Sequence, residues 1–136
     1  MKQLIIVFIG GGTGTVFRYL LSKIIPYSGY GFPWSTFSTN LLGCFIIGII
    51  SSYFQRNLSN EQSEIVLFAT IGLCGGFTTF SSYAYENLNF LKSGDNLNFL
   101  FYSLISVIMG IIMVYLGMII NKHFHWFFEY FLILMY

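Results

Sequence analysis

Charge is what this sequence has least of. Of its 136 residues, 8% are charged, against about 25% in a typical soluble domain. So few charges cannot hold a surface in water, and lipid is the expected main solvent. The charges present nearly cancel, at +1, so nothing points to a nucleic-acid or strongly acidic partner. Cysteine is scarce as well. Cys44 and Cys74 both sit in apolar runs without a CxxC spacing, which excludes a disulfide framework and leaves them reading as small buried hydrophobes. His123 and His125 lie in the aromatic tail with no histidine cluster around them. No nucleophile–base pair stands out, and an enzyme is not expected.

Long apolar runs dominate instead, with 56% hydrophobic residues. A membrane-crossing helix needs about 20 mainly apolar residues, and four segments qualify: 3–22, 35–55, 64–91 and 97–121. Short polar linkers separate them, the first carrying Pro26 and Pro33. The first run begins almost at Met1 and contains Arg18, so it reads as a span rather than a cleaved leader. Trp34 falls where an interfacial aromatic belt would lie. The fold expected is an all-α membrane protein, with a four-helix membrane domain over residues 1–121. Residues 122–136 form an aromatic tail, too short to cross again and expected to lie in the interface.

The charges in the linkers bear on orientation. With four spans, Lys2, Arg56 and Lys122 fall on one side, and Lys23 and Lys92 on the other, with Arg18 near that end of the first helix. The positive-inside rule has almost no bias to act on. Insertion in both orientations, and an antiparallel dimer of identical chains, is therefore open. Four helices this short enclose little space alone, so a transport path is expected to need a second copy. Gly10 and Gly14, and Gly72 and Gly76, are spaced for close helix approach, between copies or within one bundle.

The third run is unlike the others. Gly72-Leu73-Cys74-Gly75-Gly76-Phe77-Thr78-Thr79-Phe80-Ser81-Ser82-Tyr83 places three glycines in five residues, followed by four hydroxyl residues, inside a membrane segment. Glycine is a poor helix former, and irregular backbone survives in a bilayer only where protein or a wet cavity covers it. The third helix is expected to be broken near its centre, and the break to mark an ion or substrate site.

Other polar residues sit within the spans. Arg18 either lines the mouth of an anion path or snorkels to the interface. Asn40 reads as pore-lining or as helix–helix glue. Phe80 and Tyr83 share one face after the break, and their ring edges carry partial positive charge able to meet a small anion. Ser81 and Ser82 supply donors between them. Tyr102 and Ser106 are four residues apart on one helical face. Glu86 is open to three roles: proton carrier, hydrogen-bond acceptor or interfacial residue.

Taken together, Gly10, Gly11, Gly14, Arg18 and Tyr19 in the first span, Thr36, Asn40 and Gly43 in the second, and Gly72 to Ser82 in the third resemble the Fluc/CrcB fluoride channels. The resemblance implies a passive, fluoride-selective channel in a bacterial cell membrane that lowers fluoride toxicity. It implies an antiparallel dimer, whether of identical chains or with a family paralogue, and a structural sodium ion held by the carbonyls of Gly75 and Thr78. It places fluoride along Asn40, Phe80, Ser81, Ser82, Tyr83, Tyr102 and Ser106, with Arg18 matching the family arginine. Tyr83 stands where the family pattern has phenylalanine, and Gly110 where many members carry a hydroxyl. The alternative is a small dual-topology drug/proton antiporter with Glu86 as the coupling carboxylate.

Overall fold

The computed structural model describes residues 1–26, 31–54 and 62–135, with side chains described for 1–26, 31–54 and 64–120. Helix α1 spans Lys2–Ile24 and α2 spans Trp34–Phe54. The third crossing is composite: α3 (Gln62–Val66), a π-helical stretch (Leu67–Cys74), a single turn α4 (Gly75–Phe77) and α5 (Phe80–Lys92). Helix α6 runs over Asn96–Met135. Among the described residues, four helical segments are long and apolar enough to cross a membrane: Lys2–Ile24, Trp34–Phe54, Glu64–Lys92 and Asn96–Ile120. Their bounds lie within two residues of those expected. The chain is an all-helical, multi-pass membrane protein.

The turns follow from local chemistry. Helix α2 starts directly after Pro33, whose carbonyl accepts the Phe37 N–H at 3.1 Å and whose fixed φ suits a helix start. Between α5 and α6, Gly94 adopts φ 75°, where a side chain would be strained. The Gly94 and Asp95 N–H groups then bond back to Leu91 and Phe90, closing the end of α5 as a Schellman turn. Asp95 next caps α6, accepting the Asn98 N–H at 3.2 Å. The result is a tight α5–α6 hairpin.

Glycine brings the helices together within one chain. Gly10 of α1 lies against Phe68, Gly72 and Leu73, and a Cβ on Gly14 would overlap the Leu73 carbonyl and the Phe77 N–H. Gly76 meets the Gly11 carbonyl in the same way. A second seam joins α2 to α6, with Gly48 against Val114 and Gly117 against Phe45. Of the two uses the spacing allows, these glycines serve packing inside the bundle. Those of the third crossing are helical, their cost in propensity offset by the close approach to α1. The buried core is small: Phe37, Phe90 and Tyr102, with Glu86 and Asn87 among the buried polar residues.

The outside of the bundle is apolar. Phe8, Phe17, Ile71, Leu97 and Ile111 are among many large hydrophobic side chains more than half exposed, as lipid or another protein copy requires. The linker arginine Arg56 and the aromatic tail 122–136, whose helical backbone continues α6 to Met135, lie outside the residues whose side chains are described.

Candidate functional site: a groove beside Thr78 and Thr79

Between α4 and α5 two residues leave the helical path. Thr78 has φ −78°, ψ 160° and Thr79 φ −147°, ψ 114°. Thr79 caps α5, its Oγ1 accepting the Ser82 N–H at 3.2 Å and lying 3.1 Å from Ser82 Oγ and 3.2 Å from Ser81 Oγ. Threonine is a favoured N-cap because its oxygen satisfies one of the orphan donors of a helix start.

Two other helices hold this pair of threonines. Asn40 of α2 donates through Nδ2 to the Thr79 carbonyl at 3.1 Å and accepts the Thr79 N–H on Oδ1 at 2.8 Å. Arg18 of α1 donates through Nη1 to the Thr78 carbonyl at 3.1 Å. Thr15 Oγ1 donates to the Gly76 carbonyl at 3.4 Å. The diversion matters for the carbonyls upstream. The Thr79 N–H that would close an α-helical bond to Gly75 is given to Asn40. The Ser82 N–H that would serve Thr78 is given to the Thr79 side chain.

Beside the threonines lies a groove of about 390 Å³, lined by Asn40, Gly75, Thr78, Thr79, Phe80, Tyr83 and Ser106, with Cys44 and Cys74 on its apolar side. No lining residue carries a fixed charge. The Ser106 Oγ is buried there without a protein partner. The Phe80 and Tyr83 rings are 5.8 Å apart at 43°, and Phe80 is 78% exposed, so none of the described residues covers its far side. A second recess of about 300 Å³ opens on the other side of the threonines, lined by Thr15, Arg18, Ser35, Thr36 and Ser82 among others.

The expected path residues are thus divided. Asn40, Phe80, Tyr83 and Ser106 share the groove with Gly75 and Thr78, whereas Arg18 and Ser82 face the second recess. Ser81 is exposed at the start of α5. Tyr102 is fully buried. Its hydroxyl donates to Glu86 Oε2 at 2.8 Å, and its ring lies 5.1 Å from that of Tyr83, tilted by 58°. Glu86 also accepts from Thr36 Oγ1 on its other oxygen, at 2.6 Å. Of its three open roles the structure shows the acceptor, buried between α2 and α6.

Thr79 is the residue that sequence reasoning misses. In the sequence it is one hydroxyl among four, yet it joins the cap, the groove and the second recess. A signal for it exists: a threonine directly before a helix-forming stretch, after glycine-rich backbone, is a capping position.

The family described as CrcB-like protein, Camphor Resistance (CrcB), matches residues 5–118. The chain belongs to the CrcB family. Its CrcB relatives match along nearly their whole lengths. One from Phocaeicola vulgatus, named fluoride-specific ion channel FluC, is 49% identical over 118 residues, 86% of this chain and 96% of its own length. A protein of the same name from Bacteroides fragilis is 42% identical over 128 residues, covering 91% and 99%. Another, from Chlorobium phaeobacteroides, is 41% identical over 121 residues, covering 88% and 92%. The CrcB match runs from Ile5 in α1 to the first 23 residues of α6, and takes in every residue of the groove and of the second recess.

Proposed function

We propose that this chain is a passive fluoride channel of the bacterial cell membrane, working as an antiparallel dimer. The observation that carries the reading is the groove: donors and ring edges at Asn40, Phe80, Tyr83 and Ser106, with no fixed charge, beside an interruption in a membrane-crossing helix. The name of the relatives, fluoride-specific ion channel, supports the choice of ion.

The chemistry of the donors suits the task. Fluoride is small and strongly hydrated, so it must exchange water for several donors at once. A site with full positive charge would trap it, whereas several moderate sites let it move on. The Ser106 hydroxyl has a proton to offer. The rings offer partly positive edges. Arg18, set back in the second recess, raises the local anion concentration without lining the groove. Hydrogen fluoride enters a cell as a neutral acid and ionises inside. A negative-inside potential then drives the anion out at about 2.3 kcal/mol per charge per 100 mV, so no pump is required.

The second copy follows from the open face. Gly75 and Phe80 are exposed in the single chain, and bare carbonyls at membrane depth cost several kcal/mol each. An antiparallel partner, permitted by the balanced linker charges, covers that face and completes the path. Gly75 and Thr78 suit a structural sodium ion at the same place. Hard cations prefer oxygen ligands, and both carbonyls have lost their helical N–H partners to Asn40 and Thr79. Thr78 keeps a second lone pair beyond the one used by Arg18. Bound there, sodium would supply positive charge that lowers the cost of bringing an anion nearby.

The drug/proton antiporter needs a carboxylate facing its substrate. Glu86 does not line the groove, and both its oxygens accept protein hydrogen bonds. Fluoride efflux from liposomes under an imposed potential tests the proposal; efflux that needs a proton gradient, or that passes chloride equally, overturns it.

A further inference from the structure

Tyr83 carries a hydroxyl in a position where the groove needs only a ring, and the structure shows where that hydroxyl goes. It donates to the backbone carbonyl of Ser103 on α6 at 3.4 Å. The contact is long for a hydrogen bond, but it belongs to a closed circuit. The Ser103 hydroxyl donates to Asn87 Oδ1 at 2.8 Å, and Asn87 Nδ2 donates back to the Tyr83 carbonyl at 2.9 Å. Asn87 is buried, so both bonds lie where an unmade one is costly.

From this circuit we infer that Asn87 and Ser103 are positioning residues for the Tyr83 ring. They tie both ends of Tyr83, its carbonyl and its phenol, to α6. They thereby fix the ring that lines the groove and hold its hydroxyl on the Ser103 carbonyl. A free phenol beside Ser106 would add a strong donor and deepen one site, which slows an ion that must leave again. A phenylalanine needs no such tether, so the circuit is the counterpart of having tyrosine here. The inference rests on the channel reading for what the ring is aimed at, but the tether itself is a property of the fold.

The test compares Ser103→Thr with Ser103→Val, which match in shape and differ by one hydroxyl. Each is made in the wild-type and Tyr83→Phe backgrounds, with assembly checked by size-exclusion chromatography. Two readouts are taken: fluoride efflux from liposomes in both backgrounds, and, in the proteins that keep Tyr83, the 19F spectrum of 3-fluorotyrosine placed at position 83. The threonine variant is expected to keep the wild-type rate and spectrum. The valine variant is expected to lose about five-fold in rate, the worth of one hydrogen bond, and to shift or broaden the 19F signal. In the Tyr83→Phe background the valine substitution still breaks the bond to Asn87 and is expected to lower the unfolding temperature, but to cost no further rate. Equal behaviour of threonine and valine, or a full loss from valine in the phenylalanine background, overturns the inference. If the wild type passes no fluoride, the channel reading fails while the 19F comparison still decides the tether. Should the valine variant not assemble, Ser103→Ala takes its place in both readouts.

Discussion

Asn40 and Thr79 are bonded to each other twice, the side-chain amide giving a proton to the Thr79 carbonyl at 3.1 Å and taking one from its N–H at 2.8 Å. The carboxamide replaces the helical partners that an extended residue loses, so it plugs the interruption into α2. Of its two readings the structure shows the helix–helix glue, and Asn40 also lines the groove.

Asn40→Ala leaves both backbone groups of Thr79 without their partner in apolar surroundings. Each such loss costs about 1–3 kcal/mol, and thermal unfolding in detergent is expected to show a destabilisation of about 2–5 kcal/mol. Asn40→Asp keeps the acceptor, removes the donor and adds negative charge, so it is expected to fold better than the alanine variant yet abolish anion flux. Unchanged flux in the aspartate variant would remove Asn40 from the path.

The glycine contacts separate along one helix. Gly14→Ala drives a methyl into the Leu73 carbonyl and the Phe77 N–H, whereas Gly12 has nothing within 4 Å of an added Cβ. Overpacking against backbone costs about 1–3 kcal/mol, while an open helical Gly→Ala change gains up to about 1 kcal/mol in propensity. Opposite shifts in unfolding temperature for Gly14→Ala and Gly12→Ala are expected. Equal shifts would mean that α1 does not lie on the π stretch as described.

Much of this architecture is legible in the sequence. Apolar length alone marks the four crossings. The groove residues Asn40, Phe80, Tyr83 and Ser106 stand out as hydroxyl, amide and rings placed where no core needs them. Partner choice is not legible. Tyr102 and Ser106 share a helical face by spacing, yet Tyr102 turns into the core because Glu86 waits on α5. The glycines of the third crossing read as breakers because propensity is local. Their actual role depends on α1, sixty residues earlier. Thr79 and Asn87 matter through bonds to other helices and to the turn of their own, which composition cannot reveal.

Glu86 is expected to act through its two accepted hydrogen bonds rather than by carrying protons. Glu86→Gln keeps an acceptor oxygen for Thr36 or Tyr102 and should retain fluoride efflux with no imposed proton gradient. Glu86→Ala removes both bonds and is expected to destabilise by about 2–5 kcal/mol. Loss of all flux in the glutamine variant, with assembly intact, would return the carboxylate to a proton-coupling role.

Sodium removal is expected to weaken the assembly itself. Exchanging sodium for N-methylglucamine should lower the dimer's unfolding temperature, as loss of any ligand bound only by the folded state does. Thr78→Ser keeps the backbone carbonyl and is expected to retain the sodium dependence. A dimer indifferent to sodium would exclude the carbonyls of Gly75 and Thr78 as its site.

The central claim is tested most directly by reconstituting this chain alone into liposomes loaded with potassium fluoride and recording efflux with a fluoride electrode after valinomycin is added. Rapid fluoride efflux without a proton gradient, absent when chloride replaces fluoride and abolished by Phe80→Ile, is the expected result. No fluoride efflux from an assembled dimer, or equal passage of chloride, contradicts it.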